Sequence, residues 1–305
     1  MRRVNLAVLV VGIFASTSSA QVVVGDFIVD LYSTPAQKEY RKLTGDFERR
    51  EKEFVKQYTA ATTEEDKKRI LENRPRTEGV SPKLLRLAQE NPADPAAYDA
   101  LVWVARFVQR GPEPQKAIEI LTREHVRNAK IGELCDQLVA SYTASEENLL
   151  RAVLAKNPKP EIKAIACLSL ARQLKYRSGM KALLAGIGPV VRARIEQEKG
   201  PEFFDLVDGY DCEQLQKKAE ATFEQVIREF GHIELSNPII KKTIHSRDPR
   251  KTTLGDLAAG PLFELRHLTI GKTAPDIEGE DMDGHNFKLS DYRGRVVLLD
   301  FWGHW

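Results

Sequence analysis

The chain is poor in cysteine. Of its 305 residues only Cys135, Cys167 and Cys212 carry a thiol, and no two of them stand at C-x-x-C or metal-ligand spacing. A redox dithiol or a cysteine-built zinc site made from these residues alone is thereby excluded. Histidine is equally scattered: His125, His232, His245, His267, His285 and His304 each stand singly. No H-x-x-x-H pair is present, so neither a metal nor another cofactor is expected. Paired acids such as Glu64-Glu65 and Glu146-Glu147 read as solvated charges at helix starts. A strong excess of one charge is also lacking. The net charge is +2, which gives no reason to expect nucleic acid or an anionic membrane as partner. Finally, no apolar run reaches the roughly 20 residues needed to span a bilayer.

What is present begins with a leader. Arg2 and Arg3 precede an apolar stretch, Leu6 to Phe14, and Ser18-Ser19-Ala20 offers a small-residue cleavage pattern before Gln21. Residues 1–20 therefore read as a cleavable signal peptide, and the protein is expected to be exported, periplasmic or extracellular. An oxidising compartment makes the odd cysteine count informative. Cys135 and Cys167 sit in apolar helical surroundings. They read as buried inert thiols or, alternatively, as a disulfide between neighbouring helices. Cys212 opens a helix in a polar setting, where a thiolate is favoured.

After a β-prone stretch, Val22 to Leu31, the pattern turns helical. Residues 35–58 form a charged rod on which Tyr40, Leu43, Phe47, Phe54 and Tyr58 recur at helical spacing. From 63 to 230, segments with apolar spacing of three and four alternate with Pro and Gly punctuation. Pro95 to Arg106 resembles Pro160 to Arg172: both are Pro-led, Ala-rich and end in Ala-Arg. Small residues at contacts permit closely packed antiparallel helix pairs, the habit of tetratricopeptide-like solenoids, although that consensus is not met. Residues 212–230 make a further amphipathic helix that Gly231 is placed to cap. The expectation is a helical domain over 35–230, able to bind a protein partner or to self-associate, then a linker over 231–268, polar over 232–252 and a short helical or extended connector from Leu254 to Leu268.

From Thr269 the period changes. Asp283-Gly284 between extended runs predicts a two-residue hairpin turn, Ser290 predicts an N-cap for the turn 291–293, and Val296 to Phe301 reads as a strand buried on both faces. Taken with Gly271-Lys-Thr-Ala-Pro275-Asp276, Leu289-Ser-Asp-Tyr-Arg-Gly294 and Trp302-Gly303-His304-Trp305, the segment 269–305 resembles the opening of a redoxin domain. The family is that of thioredoxin-like thiol–disulfide oxidoreductases, in its TlpA/ResA-like branch.

The resemblance implies a fold class and a chemistry. The whole would be mainly α (helical hairpins, tetratricopeptide-like), followed by the start of an α/β thioredoxin-like domain. In that family C-x-x-C follows the W-x-x-W segment, at a helix N-terminus that favours thiolate, and exchange proceeds through a mixed disulfide with protein thiol or disulfide partners. No catalytic residue is present here. Trp302, Gly303, His304 and Trp305 would flank the active site, and the dithiol would come directly after Trp305. Three explanations compete: a selenocysteine codon read as stop, a fragment or frameshift, and a pseudo-enzyme in which the helical region alone matters. The corresponding functions are an exported thiol–disulfide oxidoreductase and a helical-repeat interaction module carrying a redoxin remnant. A peroxiredoxin-like (AhpC/TSA) domain is a further alternative, which the W-x-x-W ending disfavours.

Overall fold

A computed structural model of the chain describes residues 33–108, 111–244, 246, 248 and 250–300. The signal peptide expected over 1–20, the stretch 22–31 and residues 301–305 lie outside them. The chain divides into two compact units, Met1–Leu121 and Thr122–Trp305. Both are helical, and among the described residues no helix is long and apolar enough to cross a membrane.

In the first unit α1 runs Pro35–Ala60. It starts where it does because Thr34 and Gln37 make a reciprocal cap: the Thr34 hydroxyl accepts from the Gln37 N–H and the Gln37 side chain accepts from the Thr34 N–H, both at 3.0 Å. Only Ala36, Thr44 and Phe47 of this rod are buried. Phe47 meets Trp103 edge-on at 5.1 Å, while Phe54 and Tyr58 stack on each other and Arg74 lies 5.9 Å above the Phe54 ring. Trp103 belongs to α4 (Pro95–Phe107), the centre of the unit. The Asp94 carboxylate accepts from Ala96 N–H at 2.8 Å, and Pro95 occupies the first turn, where its missing N–H costs nothing. α3 (Ser81–Glu90) and α5 (Glu113–Ile120) pack against α4, and α2 (Glu64–Glu72) packs against α1. A π-helical turn, Leu121–His125, follows α5.

The second unit is built around α8, Pro160–Ala185. Ile162, Ile165, Leu168, Leu170 and Leu174 are essentially inaccessible to solvent, each contributing about 1.5–3 kcal/mol through burial. Helices α6 (Ile131–Gln137) and α7 (Ala144–Lys156) cover one part of its surface, α11 (Cys212–Gln225) another. Pro95 to Arg106 and Pro160 to Arg172 thus both lie in the central helix of their unit, and their shared Ala-rich composition serves burial on several sides. α9 (Pro189–Lys199) and α10 (Glu202–Asp208) lie beyond the C-terminal end of α8.

A polar ridge interrupts the apolar surface of α8. Ser169, Gln173 and Arg177 recur every fourth residue and are all buried. Gln173 donates to the Leu138 carbonyl at 3.0 Å and to the Ser141 hydroxyl. Arg177 donates to the Ser141 carbonyl at 3.2 Å, to the Thr143 carbonyl, and to the Glu147 carboxylate at 2.7 Å. Arg177 thus supplies donors to the Ser141 and Thr143 carbonyls just past the 3-10 turn Leu138–Ala140 in which α6 ends. Glu147 is therefore an internal partner rather than a solvated charge. Burial also pushes the Glu146 carboxyl above its ordinary range, with Arg177 opposing.

The expected linker over 231–268 is instead packed structure. It contains α12 (Pro238–Thr243) and α13 (Leu254–His267), and it buries Ile240, Ile244, Leu254, Ala258, Leu262 and Leu265. Gly231 is not a left-handed cap, because its φ is −58°. It is glycine because a Cβ there would stand 2.3 Å from the Ile227 carbonyl oxygen, in the π-helical turn Val226–Phe230 that extends α11. Its own carbonyl accepts from Gly255 N–H at 3.2 Å, where α13 crosses at backbone contact.

Candidate functional site

The segment after α13 holds the only strands among the described residues. β1 (Glu278–Glu280) and β2 (Asn286–Lys288) pair antiparallel, with Glu278 opposite Lys288 and Gly279 opposite Phe287. Glu278 and Lys288 form a cross-strand ion pair. Glycine at 279 leaves the Phe287 ring room to lie against the strand; a Cβ there would come 3.0 Å from its Cζ.

The hairpin exists as expected, but its turn differs. A two-residue I′ turn needs positive φ at both Asp283 and Gly284. Only Gly284 has it, at +82°. Gly284 N–H donates to the Asp281 carbonyl at 3.1 Å and Asp281 N–H to the His285 carbonyl at 2.9 Å, so the loop is three residues with a left-handed Gly at its end. The Asp281 carboxylate accounts for this choice: its Oδ1 accepts from Asp283 N–H at 2.9 Å and His285 N–H at 2.8 Å, which stabilises a turn in which Asp283 keeps a negative φ.

Ser290 is likewise not an N-cap. The 3-10 turn Leu289–Tyr292 starts from Lys288, whose N–H donates to Asp291 at 2.9 Å. Ser290 faces the other way, giving its hydroxyl to Asp276 at 2.7 Å and its N–H at 2.8 Å. Those two bonds hold the Asp276 carboxyl below its ordinary range, and they tie the segment before the hairpin to the one after it.

Val296–Asp300 carries no strand pairing, and Val296 and Leu298 are fully exposed. The expected doubly buried strand is not formed, because a two-stranded hairpin offers no sheet to receive it. Trp302, Gly303, His304 and Trp305 lie outside the described residues.

The turn gathers one group that sequence spacing did not single out. Ligand-capable atoms of Asp281, Asp283 and His285 lie within 4.8 Å of one another, all exposed. The alternation D-x-D-G-H in a tight turn is the signal that could have found it. Its geometry is that of the turn itself, since Asp281 is already engaged by two backbone N–H groups.

The cysteines form no dithiol. All three are free, which leaves the Cys135–Cys167 disulfide unformed. Burial pushes the Cys135 and Cys167 thiols up to about 12, so both are inert at neutral pH. Cys212 is half-exposed at the first position of α11, with Asp211 capping that helix through Gln214 N–H at 2.9 Å. A shallow cleft of about 470 Å³ lies where Pro160 and Glu161 of α8 face His232, Glu234 and Ser236.

Curated relatives match the chain over a short stretch. Over 42 residues it is 53% identical to the thiol–disulfide oxidoreductase ResA of Geobacillus kaustophilus, a stretch covering 14% of this chain and 24% of that protein. The ResA of Geobacillus thermodenitrificans is 47% identical over the same length. The ResA of Bacillus thuringiensis subsp. konkukian is 37% identical over 49 residues, 16% of this chain and 28% of the relative. These matches support a redoxin relationship for a short stretch. The chain spans about a quarter of the length of the curated relatives it matches. No family model matches the chain, and no solved structure matches it significantly.

Proposed function

We propose that this chain is the helical region and the beginning of the redoxin domain of an exported thiol–disulfide oxidoreductase. The observation that carries the reading is the short similarity to ResA proteins, together with the redoxin motifs from Gly271 to Trp305. In this reading Trp302 and Trp305 flank the reactive dithiol, which the family's order places directly after Trp305. Cys135 and Cys167, buried and inert, stand aside from the chemistry. The attacking thiolate sits at a helix N-terminus, forms a mixed disulfide with a protein substrate, and is released by the second thiol of the pair. The helical units position that protein partner or self-associate.

The test is to sequence the gene beyond the Trp305 codon. An in-frame UGA, two further codons and then a Cys codon, with some 100 residues of thioredoxin-like pattern after it, would make selenocysteine the attacking residue; a selenol is more acidic than a thiol and stays ionised. A Cys-x-x-Cys in a shifted frame would give the ordinary dithiol. A stop with no such continuation in any frame would sink the oxidoreductase reading. A second reading, a helical interaction module carrying a redoxin remnant, would then stand, favoured by the helical units that make up most of the described structure and hold all three cysteines.

A further inference from the structure

We propose that α9 and α10 form a flap that opens as one body from the end of α8. α9 buries none of its residues, and its Val190 and Val191 face solvent. Beneath the flap lies a small core of its own: Met180 of α8 with Phe203, Phe204 and Val207 of α10, edged by Tyr142, Leu184 and Ile195.

The flap's polar and aromatic contacts to the body converge on Tyr142. Within the flap the Arg192 guanidinium lies 3.8 Å over the Phe204 ring and holds α9 to α10. Across to the body, Phe203 meets Tyr142 edge-on at 5.0 Å and Lys199 Nζ lies 5.7 Å from the Tyr142 ring centre, while at the C-terminal joint the Tyr210 hydroxyl donates to the Tyr142 carbonyl at 2.5 Å. Tyr142 is a fixed post, because Gln173 and Arg177 pin the carbonyls and hydroxyl on either side of it. The flap, through Phe203 and Lys199, and its C-terminal joint, through Tyr210, rest on that post.

The glycines mark the joints. Gly186 (φ −96°) and Gly188 (φ −73°) have dihedrals that any residue adopts, and a Cβ at either would meet no atom within 4 Å. Neither space nor backbone geometry asks for glycine there. What glycine adds is conformational freedom, at the point where α8 gives way to α9. Gly200, by contrast, has φ +101° and makes the bend between α9 and α10, and Gly209 ends α10. Contiguous segments open as units at free energies below that of global unfolding; with no buried residue on α9 and only Phe203, Phe204 and Val207 of α10 held against Met180, a flap hinged at 186–188 and 209 is such a unit.

Hydrogen exchange on the full chain, read by mass spectrometry, tests this. Peptides from 189–208 should exchange together, about 100-fold faster than those from 160–174 and 212–225. Tyr210→Phe removes the latch hydrogen bond and should speed exchange over 189–208 by about three- to tenfold, leaving 160–174 unchanged. Gly186→Ala with Gly188→Ala should act in the opposite direction, slowing exchange there by about two- to fivefold. Protection over 189–208 equal to that over 212–225 would overturn the proposal. So would a Tyr210→Phe effect spread over the whole unit, or two alanines that leave 189–208 unchanged or faster.

Discussion

Arg177 shows how much one side chain can organise. Its guanidinium, almost wholly buried, reaches two backbone carbonyls and the Glu147 carboxylate. Removing it would take the donor from both carbonyls and leave the Glu147 carboxylate with Arg151 alone, on its outer side. Arg177→Ala should lower the unfolding free energy of the second unit by about 3 kcal/mol. Arg177→Lys should restore only part, since an ammonium keeps the charge but not the planar fork. Urea unfolding of the three proteins measures this; equal midpoints would mean the ridge is not holding the turn. Nothing in the sequence distinguishes Arg177 from the many arginines on the surface. The carbonyls it meets lie 34 and 36 residues earlier in the chain, and helical spacing carries no information at that range. Glu147 meets Arg177 across 30 residues of chain, which is why its position at a helix start does not reveal its partner.

At the level of elements, the contact of α13 with the end of α11 depends on Gly231. Gly231→Ala places a methyl against the Ile227 carbonyl, a backbone atom that cannot rotate away. The substitution should cost about 2–3 kcal/mol, visible as a lower urea midpoint with α13 amides losing protection first; a midpoint unchanged from the parent would mean the crossing is looser than described. Helices with an apolar stripe, such as α1 and α11, were legible from periodicity. α12 was not, and α13 showed only as a helical or extended connector. α12 has six residues, too few for a period to show, and α13 carries Pro261 in its interior, which reads as a break. Their burial depends on α8, α11 and the turn after it, a fact of tertiary packing. The hairpin was legible because Asp-Gly is a strong local signal, yet its loop length turned on the Asp281 carboxylate, which the dipeptide does not reveal.

For the whole molecule, burial sets the response to alkali. The folded thiols of Cys135 and Cys167 are pushed up to about 12 from an ordinary 9.0. Burial, aided by Asp99 and Glu48, raises the Tyr40 hydroxyl to about 12 from 10.0. Between these values the unfolded chain has lost protons that the folded chain keeps, so stability falls as pH rises. The contribution is fully present below about pH 9 and is lost progressively towards 12. The urea midpoint should therefore drop between about pH 8 and about pH 10.5, and Cys135→Ala with Cys167→Ala should lessen the drop in the second unit; a flat profile would mean that solvent reaches the thiols. The central position of α8 has a further consequence, in the order of synthesis. Its partners α6 and α7 precede it in the chain, while α11 follows, with Val226 emerging about 50 residues after Leu174. At ribosomal speeds that is roughly 3–10 s. During that interval a nascent α8 shows an unmatched apolar flank, and the growing polypeptide is a client for whatever chaperone waits at the tunnel exit.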